Sequence, residues 1–236
     1  MRAVFSILLG FIFLIPITAA DLLSSSNPIV IGFLGGRVRS TNPIHSEVQL
    51  ADRLRHDYPA TVRIRMFENR RGRQARREIL QLLDRDGDGR LSSSEKTAAR
   101  IAIYGHSWGG SETVTLARAL ANDGIPVLLT IQVDSVAKLG EDDSRIPSNV
   151  SQAVNFYQTD GLLHGRSEIR ADDPTRTRIL GNFRFHYKSH PVDTSAYPWF
   201  ARLLMKPHIE IESDPTVWHQ IESLIRSNLY HNSAEH

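Results

Sequence analysis

Apolar positions along this chain recur at two periods, and each change of period marks a new element. Pro28 to Gly32 is a short apolar run followed by Phe33-Leu34-Gly35-Gly36, the pattern of a buried strand ending in a glycine turn. Ile44, Val48, Ala51 and Leu54 then recur at helical spacing. Val62, Ile64 and Met66 alternate with polar neighbours as a second strand, and Ala75, Ile79, Leu82 and Leu83 mark a second helix. Ile101 to Tyr104 predicts a third strand, and a third helix runs from Gly110 to Asn122, where Gly124 can end it. Val127 to Val133 and Ala153 to Tyr157 read as further strands. From Gly161 to Pro207 the periodicity fades, and only Phe183 to Tyr187 is strand-like. A final helix is clear: Asp214 caps it, Pro215 suits its first turn, and Val217, Ile221, Leu224 and Ile225 share one face.

Strands alternating with helices predict the α/β class, a mostly parallel central sheet with helices on both faces, because parallel strands need crossover connections. The 236 residues suffice for one buried domain. Arg2, the apolar run Val4 to Ile17 and the small pair Ala19-Ala20 form a signal-peptide layout over residues 1–20, leaving a domain of residues 21–236 that is secreted or periplasmic. That run is shorter than the roughly 20 residues a helix needs to cross a bilayer, so no stable membrane span is expected after cleavage. The chain has no cysteine, which excludes disulfides and a lipid-modified cysteine. A net charge of +2 with acids and bases intermixed shows no footprint for nucleic acid, and the basic run Arg70 to Arg77 fits a solvated helix face.

The most informative stretch is Gly105-His106-Ser107-Trp108-Gly109-Gly110, where a predicted strand meets a predicted helix. A serine on such a turn is held in a strained conformation with its hydroxyl exposed, and glycines two residues to either side let neighbouring chain segments pass closely. On these residues the chain resembles the α/β-hydrolase superfamily, and more narrowly its thioesterase-like and lipase-like serine hydrolases. The likeness covers Pro28 to Ile225, as in a compact member without the two antiparallel strands that open larger ones. It implies Ser107 as nucleophile, followed along the chain by an acid and a histidine. Asp134, at the end of a nearly all-apolar strand, is the preferred acid, and Asp160, in a turn sequence, is the alternative. His208 occupies the position of the family's histidine, in a loop-like stretch before the final helix. His190 comes next, then His164 and His186, while His219 falls inside the helix. The oxyanion hole implied by the resemblance combines the backbone amides of Trp108 and Leu34, with Phe33 as the alternative to Leu34.

A second motif is independent of the first. Asp84-Arg85-Asp86-Gly87-Asp88-Gly89-Arg90-Leu91-Ser92-Ser93-Ser94-Glu95 matches an EF-hand calcium loop over residues 84–95. Asp84, Asp86 and Asp88 supply carboxylates, Gly89 the bend, Arg90 a backbone carbonyl, Ser92 a direct or water-mediated ligand and Glu95 a bidentate carboxylate, with Leu91 turned inward. Having no partner loop, the motif predicts structural Ca2+ rather than a sensor that opens a groove. The sequence thus predicts a secreted serine hydrolase acting on a small-molecule or lipid-like acyl ester or thioester, with no cofactor for catalysis. The alternative is a catalytically silent calcium-binding protein on the same fold.

Overall fold

The computed structural model describes residues 27–230, so the expected signal segment, residues 1–20, lies outside the described residues. In chain order the elements are β1 (Ile29–Leu34), α1 (Ser46–Asp57), β2 (Arg63–Glu68), α2 (Gly72–Leu83), α3 (Ser93–Thr97), β3 (Ile101–His106), α4 (Trp108–Asn122), β4 (Val127–Val133), β5 (Arg145–Ile146), β6 (Val150–Gln158), β7 (Arg170–Ala171), β8 (Arg178–Phe185), α5 (Trp199–Ser213) and α6 (Pro215–Tyr230). Six strands form one sheet in the order β2-β1-β3-β4-β6-β8, with every neighbouring pair parallel. The short β5 and β7 pair separately.

Strand alternation sends side chains to two cores. Ile29, Ile31 and Phe33 of β1 with Ile101 and Ile103 of β3 meet α2 and α4 through Ala75, Ile79, Leu83, Val114 and Leu120. Val30, Ala102 and Tyr104 face the other way, onto Leu50 and Leu54 of α1 and Trp218, Ile221 and Ile225 of α6. Each fully buried Leu or Ile contributes about 1.5–3 kcal/mol relative to exposure, so these two faces hold the sheet between its helices. This is the predicted α/β architecture, a parallel central sheet with helices on both faces. Among the described residues, no helix is long and apolar enough to cross a membrane.

The chain runs from β1 to β2 on one side and returns to β3 on the other, so the carboxyl ends of β1 and β3 flank a switch point, where parallel sheets open a ligand crevice. Four expectations are corrected. Helix α4 starts at Trp108 rather than Gly110, and the strand expected at residues 183–187 is β8, which ends at Phe185. The strand expected from Ala153 to Tyr157 is longer, spanning Val150–Gln158. The stretch before the final helix is helical, the second half of α5, which kinks at Met205 (φ −136°, ψ 27°). Pro207 explains why: it lacks an amide hydrogen and its ring clashes with the preceding turn. Before the kink Trp199, Phe200, Leu203 and Leu204 are exposed; after it His208 to Glu212 are buried.

Candidate active site

Two non-glycine residues have positive φ among the described residues, and they are Ser107 (φ 58°) and Asp134 (φ 41°). Each follows a strand directly, and each is held by the hydrogen-bond ladder of the sheet. The Ser107 amide donates to the Val133 carbonyl at 2.9 Å, and the Asp134 amide donates to the Phe156 carbonyl at 2.7 Å. Such backbone strain persists only where the surroundings over-determine it. Around Ser107 they do: a Cβ on Gly105 would lie 2.4 Å from the Gly109 oxygen, and one on Gly109 would lie 2.3 Å from the Phe33 oxygen. The glycines of the motif are there because backbone occupies the space a side chain would need.

Asp134 is fully buried, and its two oxygens accept from His208 Nδ1 (2.6 Å), Gln158 Nε2 (2.7 Å), the Gly165 amide (2.8 Å) and the Gln158 amide (3.2 Å). Burial alone would raise this carboxyl, but the hydrogen bond and charge of His208, with the Gln158 and Gly165 donors, hold it below the usual aspartate range. His208, Ser107 and Trp108 line one cavity of about 460 Å³. Trp108 opens α4, so its amide belongs to the helix N-terminus, where partial positive charge gathers. Ser107 Oγ has no hydrogen-bond partner among the described residues.

Other expected residues lie elsewhere. Asp160 accepts from the Tyr187 and Lys188 amides and lies 3.7 Å from His186 Nδ1, tying a turn together, whereas the carboxylate bonded to His208 is that of Asp134. His190 bonds Ser189, His164 meets the Gly165 carbonyl, and His219 is exposed. Leu34 ends β1 directly before the cavity residue Gly35, and its carbonyl accepts from Asn69. The turn residue packed against Ser107 is Gly35, where a Cβ would stand 2.8 Å from that of Ser107.

Beside His208 lies a cluster that sequence reasoning missed. His106, its ring centroid 4.4 Å from that of His208 and tilted 36° to it, is buried with Glu47 and Glu212, and His45 Nδ1 lies 2.5 Å from Glu212 Oε1. Burial, reinforced by the charge of Glu212, pushes the Glu47 carboxyl well above the usual glutamate range, and burial lowers His106 to about 4. One signal was legible: Glu47 falls on the apolar stripe of α1 with Leu50, Ala51 and Leu54, where a carboxylate has no packing role.

At the other edge, ligand oxygens of Asp84, Asp86 and Asp88 lie within 4.8 Å of one another. Gly87 (φ 72°) and Gly89 (φ 79°) turn the loop, and Leu91 packs against the core. Glu95 is outside that trio; it accepts from the Arg85 and Ser92 amides and from Ser92 Oγ, forming the capping box of α3. Arg90 donates its amide to Asp88.

No protein-family model matches this chain, and no curated protein matches it in sequence. Among solved structures it is similar to human thioesterase 2, with 12% identity and a TM-score of 0.43 over 89% of this chain and 99% of that one. A cutinase-like protein from Cryptococcus sp. is 9% identical, with a TM-score of 0.43 over 87% and 96% of the two chains. A thermostable esterase from Pseudomonas putida is 11% identical, with a TM-score of 0.41 over 88% and 74%.

Proposed function

We propose that this chain is a serine hydrolase that cleaves an ester or thioester of a small-molecule or lipid-like acyl substrate through an acyl-enzyme. The observation that carries this reading is the Asp134–His208 hydrogen bond, in a cavity that also contains Ser107 on its strained turn. With Nδ1 of His208 committed to Asp134, Nε2 is the nitrogen left to take the Ser107 proton. As Oγ bonds the acyl carbon, the Trp108 amide and the Leu34-Gly35 turn face the developing oxyanion. His208 then returns the proton to the leaving oxygen or sulfur as its bond to carbon breaks. A water deprotonated by His208 attacks the acyl-enzyme, and the proton passes to Ser107 as the acid departs. Val38, Ile44, Val136, Leu163, Met205 and Ile209 make the cavity walls apolar, which suits an acyl chain.

The same reading assigns structural Ca2+ to the acidic loop, with Asp84, Asp86 and Asp88 joined by the Arg90 carbonyl, Ser92 and Glu95. The converging aspartates and the two positive-φ glycines support it. The signal-peptide layout of residues 1–20 supports export as part of this reading. Fluorophosphonate labelling tests the chemistry: the wild type should be labelled and lose ester hydrolysis, while Ser107→Ala should be folded, unlabelled and inactive. Unchanged turnover in Ser107→Ala would overturn the reading, and rates over acyl esters of graded length would define the chain accepted.

A further inference from the structure

We propose a second metal site in this protein, a zinc-class divalent cation held by Glu47, Glu212, His106 and His45 in the wall of the active-site cavity. The reason is an excess of acceptors facing one another in a buried space. His106 Nε2 lies 3.2 Å from the His208 carbonyl oxygen, which can only accept, so Nε2 carries the ring hydrogen. In the neutral ring, Nδ1 is therefore a bare lone pair. It faces Glu212 Oε2 at 3.4 Å and Glu47 Oε1 at 3.8 Å, two more acceptors. Glu47 is completely buried, and among the described residues neither of its carboxylate oxygens has a well-formed hydrogen bond, the Gly35 amide, its own amide and the Glu212 carboxylate being its polar neighbours. Unpaired buried carboxylates are costly and are ordinarily paired or bound to metal.

A proton does not repair this arrangement. Placed on Glu47 it can serve one oxygen of Glu212 and leave the other Glu47 oxygen to the nearby Gly35 and Glu47 amides, but His106 Nδ1 still faces only acceptors. A cation serves all of them at once. Ligand atoms about 2.0–2.2 Å from a tetrahedral ion stand about 3.3–3.6 Å from one another, close to the two His106 separations. One ligand atom each from His45, Glu47 and Glu212 lies within 4.8 Å of the other two; His106 stands outside that trio and reaches it through Glu212 and Glu47. The His45–Glu212 separation is that of a hydrogen bond and needs to open by about 1 Å to admit the ion. Two imidazoles and two carboxylates neutralise a divalent charge, and this donor set suits zinc rather than calcium, which prefers an all-oxygen shell.

The surroundings are those of a built site. The His106 bond to the His208 carbonyl is the outer hydrogen bond that a metal-bound histidine ordinarily makes. Tyr104 Oη donates to the Glu47 carbonyl and Trp218 Nε1 to the Glu212 carbonyl, holding both ligand backbones. His45, His106 and Glu212 also line the cavity, which gives the ion an entry path. Through His106 the ion braces the backbone of His208, so its role is to position that residue.

The experiment is metal binding by the whole chain in excess calcium, which occupies the acidic loop first. Dialysed wild type titrated with Zn2+ should take up one ion, and Co2+ in its place should give the intense visible absorption of tetrahedral coordination. Glu47→Gln and Glu212→Gln should each weaken Zn2+ by more than about 100-fold, since even outer partners of ligands are worth about 10–100-fold. Ser107→Ala should bind Zn2+ as the wild type does, which separates this site from the hydrolase assignment. No Zn2+ uptake, a weak six-coordinate Co2+ spectrum, or undiminished binding in both glutamine variants would overturn the proposal.

Discussion

A carboxylate without solvent stays ionised only if donors replace the water it has lost, and Asp134 has four, counting His208. Losing the carboxylate leaves His208 without the partner that fixes its tautomer. Asp134→Asn should therefore lower turnover by about four orders of magnitude. Asp160→Asn, which removes a turn contact, should cost far less, and the reverse ranking in steady-state kinetics would move the acid to the later strand. Asp134 also leaves a signature in stability. Its folded pKa lies below the unfolded value of about 3.9, so its contribution is complete above that value and is lost as pH falls through the folded one. In urea unfolding, the stability gap between wild type and Asp134→Asn should be widest near neutral pH and should close below about pH 4. A gap independent of pH would mean that the ionised form is not what stabilises the fold.

Among the elements, the junction of β1, β3 and α4 admits the least change. A Cβ on Gly109 would meet the carbonyl of Phe33, which is backbone and cannot swing aside. Gly109→Ala should destabilise the protein by about 1–3 kcal/mol, through a displaced α4 or a displaced β1, and thermal unfolding would measure it. A variant as stable as wild type would mean that this packing is looser than drawn. The junction was legible in the sequence because its constraints are local: a strand pattern, glycines at fixed offsets and a serine between them. Helix α5 was not. Its first half exposes Trp199, Phe200, Leu203 and Leu204, its second buries His208 to Glu212 without a break, and Pro207 divides them, so no single period spans it. The pairing of Asp134 with His208 joins residues far apart in sequence, so the chain could suggest candidates for it, while the choice between Asp134 and Asp160 needed the fold. Glu47 and Glu212 meet for the same tertiary reason.

At the scale of the whole molecule, the sheet separates its two edges. Turns from strand to helix gather at the edge that bears Ser107 and Asp134, and turns from helix to strand gather at the other. The acidic loop joins α2 through α3 to the start of β3, whose far end carries Ser107. On the proposed reading, calcium bound there would stabilise by linkage, by an amount rising with the logarithm of its concentration over the dissociation constant. Chelation should lower the melting temperature and leave turnover nearly unchanged wherever the protein stays folded, and Asp84→Ala should behave as the chelated wild type does. Activity lost without any loss of stability would show the ion acting in the chemistry. The ladder bonds that hold Ser107 to Val133 and Asp134 to Phe156 also bear on how this chain can vary in length. They make the sheet a ruler graduated in whole residues: one residue gained or lost within β3 or β4 exchanges the faces of the strand and misplaces Ser107 or Asp134 by a full step. Length added on the opposite edge is never read by that ruler. The protein therefore has one edge at which a change of length displaces Ser107 or Asp134 and one at which it does not, and the acidic loop stands at the second.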